Sequence, residues 1–197
     1  MTNDIIDRIV GVTPELDALR RRRPVTREQL QASFDALFEP VSVEHVSQAE
    51  RELVAAFATR LAVDTDPAGT FYAARAIAVD PERAAVVLAE AASAAGSGPF
   101  GSYAEVGLQS ENTDGARYAP ATDAVDTLGE RLAAALAHTH LLVLRPREAS
   151  GDDIQRLLDV GWTADGIVTL SQLVSFLAFQ QRVVTGLRAL SRAGVAA

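Results

Sequence analysis

Two residue types are missing from the sequence, and their absence excludes whole classes of chemistry. None of the 197 residues is cysteine, which rules out thiol peroxidation, disulfide exchange and thiolate metal sites. All 18 basic residues are arginine. Without lysine, the chain can form neither a catalytic Schiff base nor a P-loop. Imidazole chemistry is limited to three histidines, His45, His138 and His140.

Charge and hydropathy narrow the class of protein further. The formal net charge of -8 disfavours nucleic acid and anionic membranes as partners, because those surfaces are negative as well. Residues 1–17 carry acidic side chains and no long apolar segment, so we expect no signal peptide. Apolar runs of about 18 residues are absent, and we expect no membrane span. The sequence therefore predicts a cytoplasmic protein with one domain over 1–197.

Helix-start signals divide the chain into helices and predict the all-α class. Ser47 and Glu50 have the spacing of a capping box, which predicts a helix to about Ala62. Asp66 and Asp80 each precede a proline, a pattern typical of an N-cap followed by the first helical residue. Helices are predicted near 27–37, from the Ser47 cap to about 62, at about 67–78 and 81–95, over 121–142 at least in its first half, after Ser150, and from Thr163 to about Arg192.

The last predicted helix is apolar on more than one side. Leu170, Leu173, Phe176, Phe179 and Val183 surround its axis. Such a helix must be buried on more than one side. We therefore expect it to lie at the centre of the molecule or in a subunit interface, and we predict a homo-oligomer, a dimer or a multiple of one.

A long irregular loop is predicted over residues 96–120, which hold five glycines and two prolines. Its Gly96-x-Gly98-x-x-Gly101 matches the dinucleotide fingerprint by letter, but a helix rather than a strand precedes it, so we interpret it as loop. Connections this long are usually functional or disordered. We expect an ordered loop that packs an aromatic side chain over a cleft or across a subunit boundary: Phe100, Tyr103 or Tyr118.

His138 and His140 are two residues apart, which argues against a shared metal ion. In a helix such residues point about 200° apart, and no carboxylate lies close in sequence. Each histidine is interpreted as a half-buried residue with its hydrogen bonds satisfied. The basic cluster Arg20–Arg23 is interpreted as the solvated end of a helix. We expect no metal and no cofactor.

Several segments together resemble the alkylhydroperoxidase-D-like superfamily, which includes the carboxymuconolactone decarboxylase (CMD) domain. Residues 49–58 are similar to the helix that precedes the superfamily's redox motif. Residues 152–187, with Gly161-Trp162-Thr163 and Gly186-Leu187, are similar to its C-terminal pattern, with Gln181 where asparagine is usual. The resemblance implies an alkylhydroperoxidase-D-like helical fold, to which residues 1–45 would add an N-terminal helical extension.

The redox motif of that superfamily is absent from this chain. Peroxidase members carry a glutamate, matched by Glu52, and then Cys-x-x-Cys-x-x-x-His. After an apparent insertion at 64–67, the motif positions fall on Ala68, Phe71 and Arg75. The resemblance thus implies a fold and the location of a cleft, without thiol chemistry.

Three hypotheses for the function stay open. The first is a divergent CMD-domain protein that binds a small apolar or anionic ligand in the inherited cleft. The second is a cysteine-independent acid–base enzyme akin to the decarboxylase branch; the third is a structural partner of a catalytic relative. For an enzyme, the candidate base is Glu52 and the candidate anion clamp is Arg75. Tyr72 is the candidate donor, and one of His138 or His140 is the candidate acid.

Overall fold

The all-α prediction is confirmed in a computed structural model, which describes residues 4–62 and 67–193. These ranges contain no β-strand; Gly101 and Thr113 form one isolated antiparallel bridge. Short 3-10 helices occupy Val106–Glu111 and Pro146–Glu148. The α-helices are α1 (Ile5–Val10), α2 (Pro14–Arg21), α3 (Pro24–Phe38), α4 (Gln48–Leu61), α5 (Pro67–Val79), α6 (Pro81–Ala94), α7 (Thr122–Leu128), α8 (Glu130–Leu144), α9 (Gly151–Asp159) and α10 (Ala164–Arg192).

The capping signals place most helix starts correctly. The Ser47 hydroxyl accepts a hydrogen bond from the Glu50 amide, and the Glu50 carboxylate accepts one from the Ser47 amide at 2.8 Å. The capping box is thus confirmed. The other confirmed N-caps are Asp80, Ser150 and Thr163. The predicted N-cap Asp66 lies outside the described residues.

Two predicted helices have different bounds in the structure. The helix predicted at 27–37 begins earlier, at Pro24, because proline at the first helical position needs no partner for an amide proton. The helix predicted over 121–142 is two helices, α7 and α8, which meet at Gly129. There the backbone has φ 79° and ψ 154°, a conformation that only glycine adopts easily, so the chain turns between them.

Helix α4 is the centre of the molecule. It packs against α5, α6, α8 and α10. Every residue from Arg51 to Thr59 is buried, as is Leu61. Helix α4 therefore contributes side chains to more than one packing layer, and residues on different faces of it lie in different environments.

Helix α10 is both central and partly exposed. One side packs against α4 and α8, with Leu170, Leu173 and Leu177 fully buried. The opposite side leaves Val168 and Phe179 55% and 46% exposed. By length and composition alone α10 is apolar enough to cross a membrane, and 44% of its most apolar 18-residue window is buried inside the chain.

An ion-pair network joins α1, α2 and α3. The Arg20 guanidinium binds Asp4 at 2.9 Å and also binds Asp7, and Arg27 binds Asp4, Asp7 and Asp17 at 2.6–2.8 Å. The Arg20 side chain is 8% exposed. The interpretation of the whole arginine cluster as solvated is therefore wrong at Arg20, because two carboxylates at the start of α1 bind its guanidinium.

The loop over 96–120 is attached to the helices at several points. The Phe100 amide donates to the Leu144 carbonyl at 2.6 Å. The Arg145 guanidinium donates to the Gly115 carbonyl at 2.7 Å, and the Tyr118 hydroxyl donates to Glu90 at 2.6 Å. Arg147 lies over the Tyr103 ring, 4.2 Å from its centroid. These contacts fix the position of Tyr118 relative to α8.

Candidate functional site

Glu52 on α4 and Arg75 on α5 form a bidentate ion pair. The Arg75 Nε donates to Glu52 Oε2 at 2.8 Å, and Nη2 donates to Oε1 at 2.5 Å. Gln48 donates a third hydrogen bond to Oε1 at 2.7 Å. The Glu52 side chain is only 3% exposed. The hydrogen bonds that Arg75 donates to Glu52 raise the pKa of Arg75 above its usual value.

Aromatic rings close the space around this ion pair. The Arg75 guanidinium carbon lies 5.4 Å from the ring centroids of both Phe34 and Phe38, and 5.7 Å from that of Phe71. Cation–π contacts and a bidentate carboxylate leave little room for a ligand. The location that the family resemblance assigns to a cleft is therefore filled by the protein's own side chains.

Tyr72 lies near the ion pair but has its own partner. Its hydroxyl donates to Gln180 Oε1 on α10 at 2.7 Å, and the residue is fully buried. Burial raises the pKa of the Tyr72 phenol above its usual range, the Gln180 hydrogen bond opposing this. Tyr72 thus links α5 to α10, and its hydroxyl proton is engaged in the hydrogen bond to Gln180.

The two histidines of α8 lie apart from Glu52. Among the described residues, no hydrogen bond, ion pair or ring contact joins His138 or His140 to Glu52, Arg75 or Tyr72. Both histidines instead line a cavity of about 210 Å³ between α8, α9 and the end of the long loop, here called the His138 cavity. The four-residue constellation proposed for an enzyme is thus divided between two places.

The walls of the His138 cavity are of two kinds. The aliphatic side chains are Ala134, Ala137, Leu141 and Leu157. The polar and aromatic side chains are Arg117, Tyr118, His138, His140, Arg145, Asp153 and Arg156. A small cavity with apolar walls and a few convergent polar groups is typical of small-molecule sites.

His138 is a buried polar residue without a partner. It is 6% exposed, and within the described ranges neither ring nitrogen has a hydrogen-bond partner. The interpretation of His138 as a satisfied histidine is therefore wrong within the described residues, because the packing of α8 brings no hydrogen-bonding group within reach of either ring nitrogen. An unsatisfied buried polar group costs about 1–3 kcal/mol. Burial lowers the pKa of His138, an effect that the Asp153 carboxylate partly opposes.

The other two histidines do have partners. His140 is hydrogen-bonded to the Ala94 backbone, which partly opposes the lowering of its pKa by burial. The His45 Nδ1 lies 3.2 Å from the Thr163 hydroxyl, and His45 is at the surface. His138 is therefore distinguished from both by its lack of a protein partner.

Tyr118 covers one side of the cavity with its ring. Its centroid is 5.4 Å from that of His140 and 5.3 Å from that of Phe57. The hydroxyl is engaged by Glu90, and burial raises the pKa of the phenol above its usual range. The ring thus presents an aromatic surface to the cavity while its polar end is satisfied elsewhere.

Positive charge is concentrated where the cavity meets solvent. Arg117 and Arg156 are 70% and 71% exposed. Arg156 binds Asp153 at 2.5 Å, and Arg117 binds Glu148 at 2.8 Å. The buried Arg145 binds the same Glu148. Three guanidinium groups and one carboxylate, that of Asp153, line the cavity, and Glu148 neutralises part of this positive charge from outside the lining.

Sequence reasoning identified His138 and missed the residues that surround it. Asp153 lies in the first turn of α9 and forms the capping box with Ser150. Asp153 also faces His138, because α9 packs on α8. No local sequence pattern encodes this packing. The described residues contain no group of three or more His, Asp or Glu side chains placed to hold a metal ion.

Comparison with known proteins adds no identification. No model of a known protein family matches the chain, and a search among curated proteins finds no significant match.

Proposed function

We propose that the chain binds a small molecule in the His138 cavity and that it has no thiol-dependent activity. The observation that carries this proposal is His138: a buried imidazole, unpaired within the described chain, beside a cavity with apolar walls. The free-energy cost of such a group is offset when a bound molecule supplies its hydrogen bonds. The absence of cysteine removes the peroxidatic chemistry of the resembled family.

The proposed family is the alkylhydroperoxidase-D-like superfamily, of which this chain would be a cysteine-less CMD-type member. The helical composition and the central α4 with Glu52 support this assignment. In this proposal the ancestral cleft has closed around the Glu52–Arg75 pair, and ligand binding has moved to α8 and α9. The pair then stabilises the packing of α4 on α5 and takes no part in binding.

A cysteine-independent acid–base enzyme is the second candidate, and one observation favours it. Burial keeps His138 neutral near pH 7, with Asp153 close enough to oppose the shift of its pKa. A neutral imidazole can take up a proton from a bound substrate. Turnover of a bound compound that is lost in a folded His138→Gln variant would favour the enzyme over the binding protein.

We also propose that the chain forms a dimer through the exposed side of α10. Helix α10 is acidic in its first turn, with Asp165, and basic in its last turn, with Arg192. Antiparallel pairing of two copies would place opposite charges and opposite helix dipoles side by side. Val168 and Phe179, both exposed in one copy, would be buried in the pair.

The three histidines provide a direct test of the binding proposal. We would label the histidine rings with ¹⁵N and record their NMR spectra while titrating fragments of at most about ten non-hydrogen atoms, a size set by the cavity. The His138 resonances should shift in a saturable way, with a smaller shift at His140. His45, which lies at the surface, serves as the internal reference. Fragments that move only His45, or no histidine, would contradict the proposal.

A further inference from the structure

We infer that the molecule bound in the His138 cavity is a small organic anion: an apolar body of aromatic or aliphatic carbon bearing one acidic group. This inference rests on the proposed function and specifies the ligand class. Three properties of the cavity carry it: its volume, the character of its walls, and the distribution of charge around it.

The volume sets the size of the ligand. A cavity of about 210 Å³ is smaller than the roughly 300–1,000 Å³ of pockets for drug-sized ligands. It corresponds to about seven water molecules at their share of the liquid. Nucleotides and peptides are therefore too large, whereas a single six-membered ring with one substituent fits.

The walls require an apolar body. Ala134, Ala137, Leu141 and Leu157 offer no hydrogen bonds, and the Tyr118 ring offers a flat aromatic surface because its hydroxyl already binds Glu90. A ligand that is polar throughout, such as inorganic phosphate, would lose its hydration against these walls without compensation. The apolar part of the ligand is thus expected to lie between Tyr118 and the aliphatic side of α8.

The charges require an acidic group. Arg156 donates from Nη1 to Asp153, and Arg117 contacts Glu148 through Nη2. In the described chain, the remaining N–H groups of these two guanidiniums have no protein acceptor. They stand at the mouth of the cavity and can bind an anion there. The His138 ring lines the cavity while both of its nitrogens are buried and unpaired. Rotation of the ring would turn one neutral N–H toward the ligand, so that an acidic group is held from both sides.

The test compares three probes on the full-length protein by isothermal titration calorimetry. Benzoate has the ring and the charge, benzamide has the ring without the charge, and inorganic phosphate has the charge without the ring. We expect benzoate to bind at least about tenfold more tightly than benzamide, as for a hydrogen bond to a charged group. Phosphate should show no saturable binding. Raising the salt concentration should weaken benzoate binding and leave benzamide unchanged.

Variants identify the groups that recognise the charge. Arg156→Gln and Arg117→Gln should each weaken benzoate binding by about two- to fivefold, the effect of an exposed charge, with no effect on benzamide. Arg22→Gln is the matched control, because Arg22 is exposed on the N-terminal helices and its side chain has no recorded partner in the described chain. Circular dichroism would establish that each variant is folded.

The outcomes separate the ligand class from the site. If benzamide binds as tightly as benzoate, or phosphate binds as tightly as either, the inferred class is wrong while the cavity remains a binding site. If the arginine variants bind benzoate as the wild type does, the assignment of the charge contacts is overturned. If neither ring compound binds and neither shifts the His138 resonance, the inference fails together with the proposed function.

Discussion

At the scale of single residues, the candidate side chains differ in whether they have a hydrogen-bond partner within the protein. Glu52 and Arg75 satisfy each other, and Tyr72 is satisfied by Gln180. His138, interpreted as satisfied, has no protein partner in the described chain. Pairing depends on which helices touch, and residues 23 or 108 positions apart carry no local signal of their contact.

Glu52→Gln should destabilise the protein without affecting ligand binding. The substitution leaves the Arg75 guanidinium half-buried among aromatic rings without its counter-ion, at a cost of about 2–3 kcal/mol in the free energy of unfolding. Urea denaturation would measure the loss. Arg83→Gln is the control, since its pair with Asp80 is longer, at 3.8 Å, and more exposed; it should cost less than about 0.5 kcal/mol. Equal stability of Glu52→Gln and wild type would show that the pair is not structural.

His138→Leu should stabilise the protein while removing its function. Leucine fills the site without an unsatisfied polar group, so we expect a gain of about 1 kcal/mol at about pH 7.5, measured in urea. Such a gain is typical of a residue kept for binding at the expense of stability. A loss of more than about 1 kcal/mol would indicate that the imidazole has a structural hydrogen bond.

The same residue should make stability depend on pH. Burial lowers the pKa of His138 in the folded state below its ordinary value of 6.5. The unfolded chain therefore binds more protons as pH falls through 6.5, and the stability present above this pH is progressively lost below it. Thermal unfolding midpoints should fall between about pH 7.5 and about pH 5.5. The fall should be smaller in His138→Leu; His140 contributes to the remainder, because burial lowers its pKa too.

At the scale of helices, local sequence signals predicted starts and ends to within about three residues but missed a break. The side chains of Ser47 and Asp80 accept hydrogen bonds from backbone amides within the next turn. An N-cap can therefore be recognised from adjacent residues in the sequence. The break at Gly129 was missed because alanine-rich sequence continues on both sides and a lone glycine is tolerated in many helices. Its conformation follows from how α7 and α8 pack on α6 and α4.

Gly129→Ala tests whether that break is fixed by the backbone. The φ of 79° and ψ of 154° lie in a region that other residues rarely adopt, although nothing lies within 4 Å of an added Cβ. We expect a loss of about 2 kcal/mol from backbone strain alone, measured by urea denaturation. Gly151→Ala, equally free of contacts but in ordinary helical backbone, should change stability by less than about 0.5 kcal/mol. A similar small change at Gly129 would mean that the turn can relax.

At the scale of the whole molecule, composition predicted the class and excluded the chemistry, while the arrangement of helices required the structure. The absence of cysteine and lysine and the helix-start signals were sufficient for an all-α protein without thiol or Schiff-base catalysis. They could not show that the space beside Glu52 is filled, or that α8, α9 and residues 117–118 enclose a cavity. Both facts arise from contacts between distant segments.

The dimer is testable by sedimentation at micromolar concentration. We expect a species of twice the 20.9 kDa chain mass, because burial of Phe179 and Val168 favours association. Phe179→Glu should shift it to the single-chain mass, since a buried carboxylate would be unpaired in the interface. Val25→Glu, 68% exposed on α3, should remain dimeric. A single-chain species in the wild type would contradict the dimer.

The central claim is that the binding site is at His138 and that the Glu52–Arg75 pair is structural. The most direct measurement is the benzoate affinity of folded His138→Leu and Glu52→Gln, determined by calorimetry at a temperature where both remain native. We predict that His138→Leu weakens binding by about tenfold or more, from loss of a buried hydrogen bond. Glu52→Gln should bind within about twofold of wild type, as expected for a distant, independent site. Unchanged affinity in His138→Leu with lost binding in Glu52→Gln would contradict the account and place the site beside Arg75.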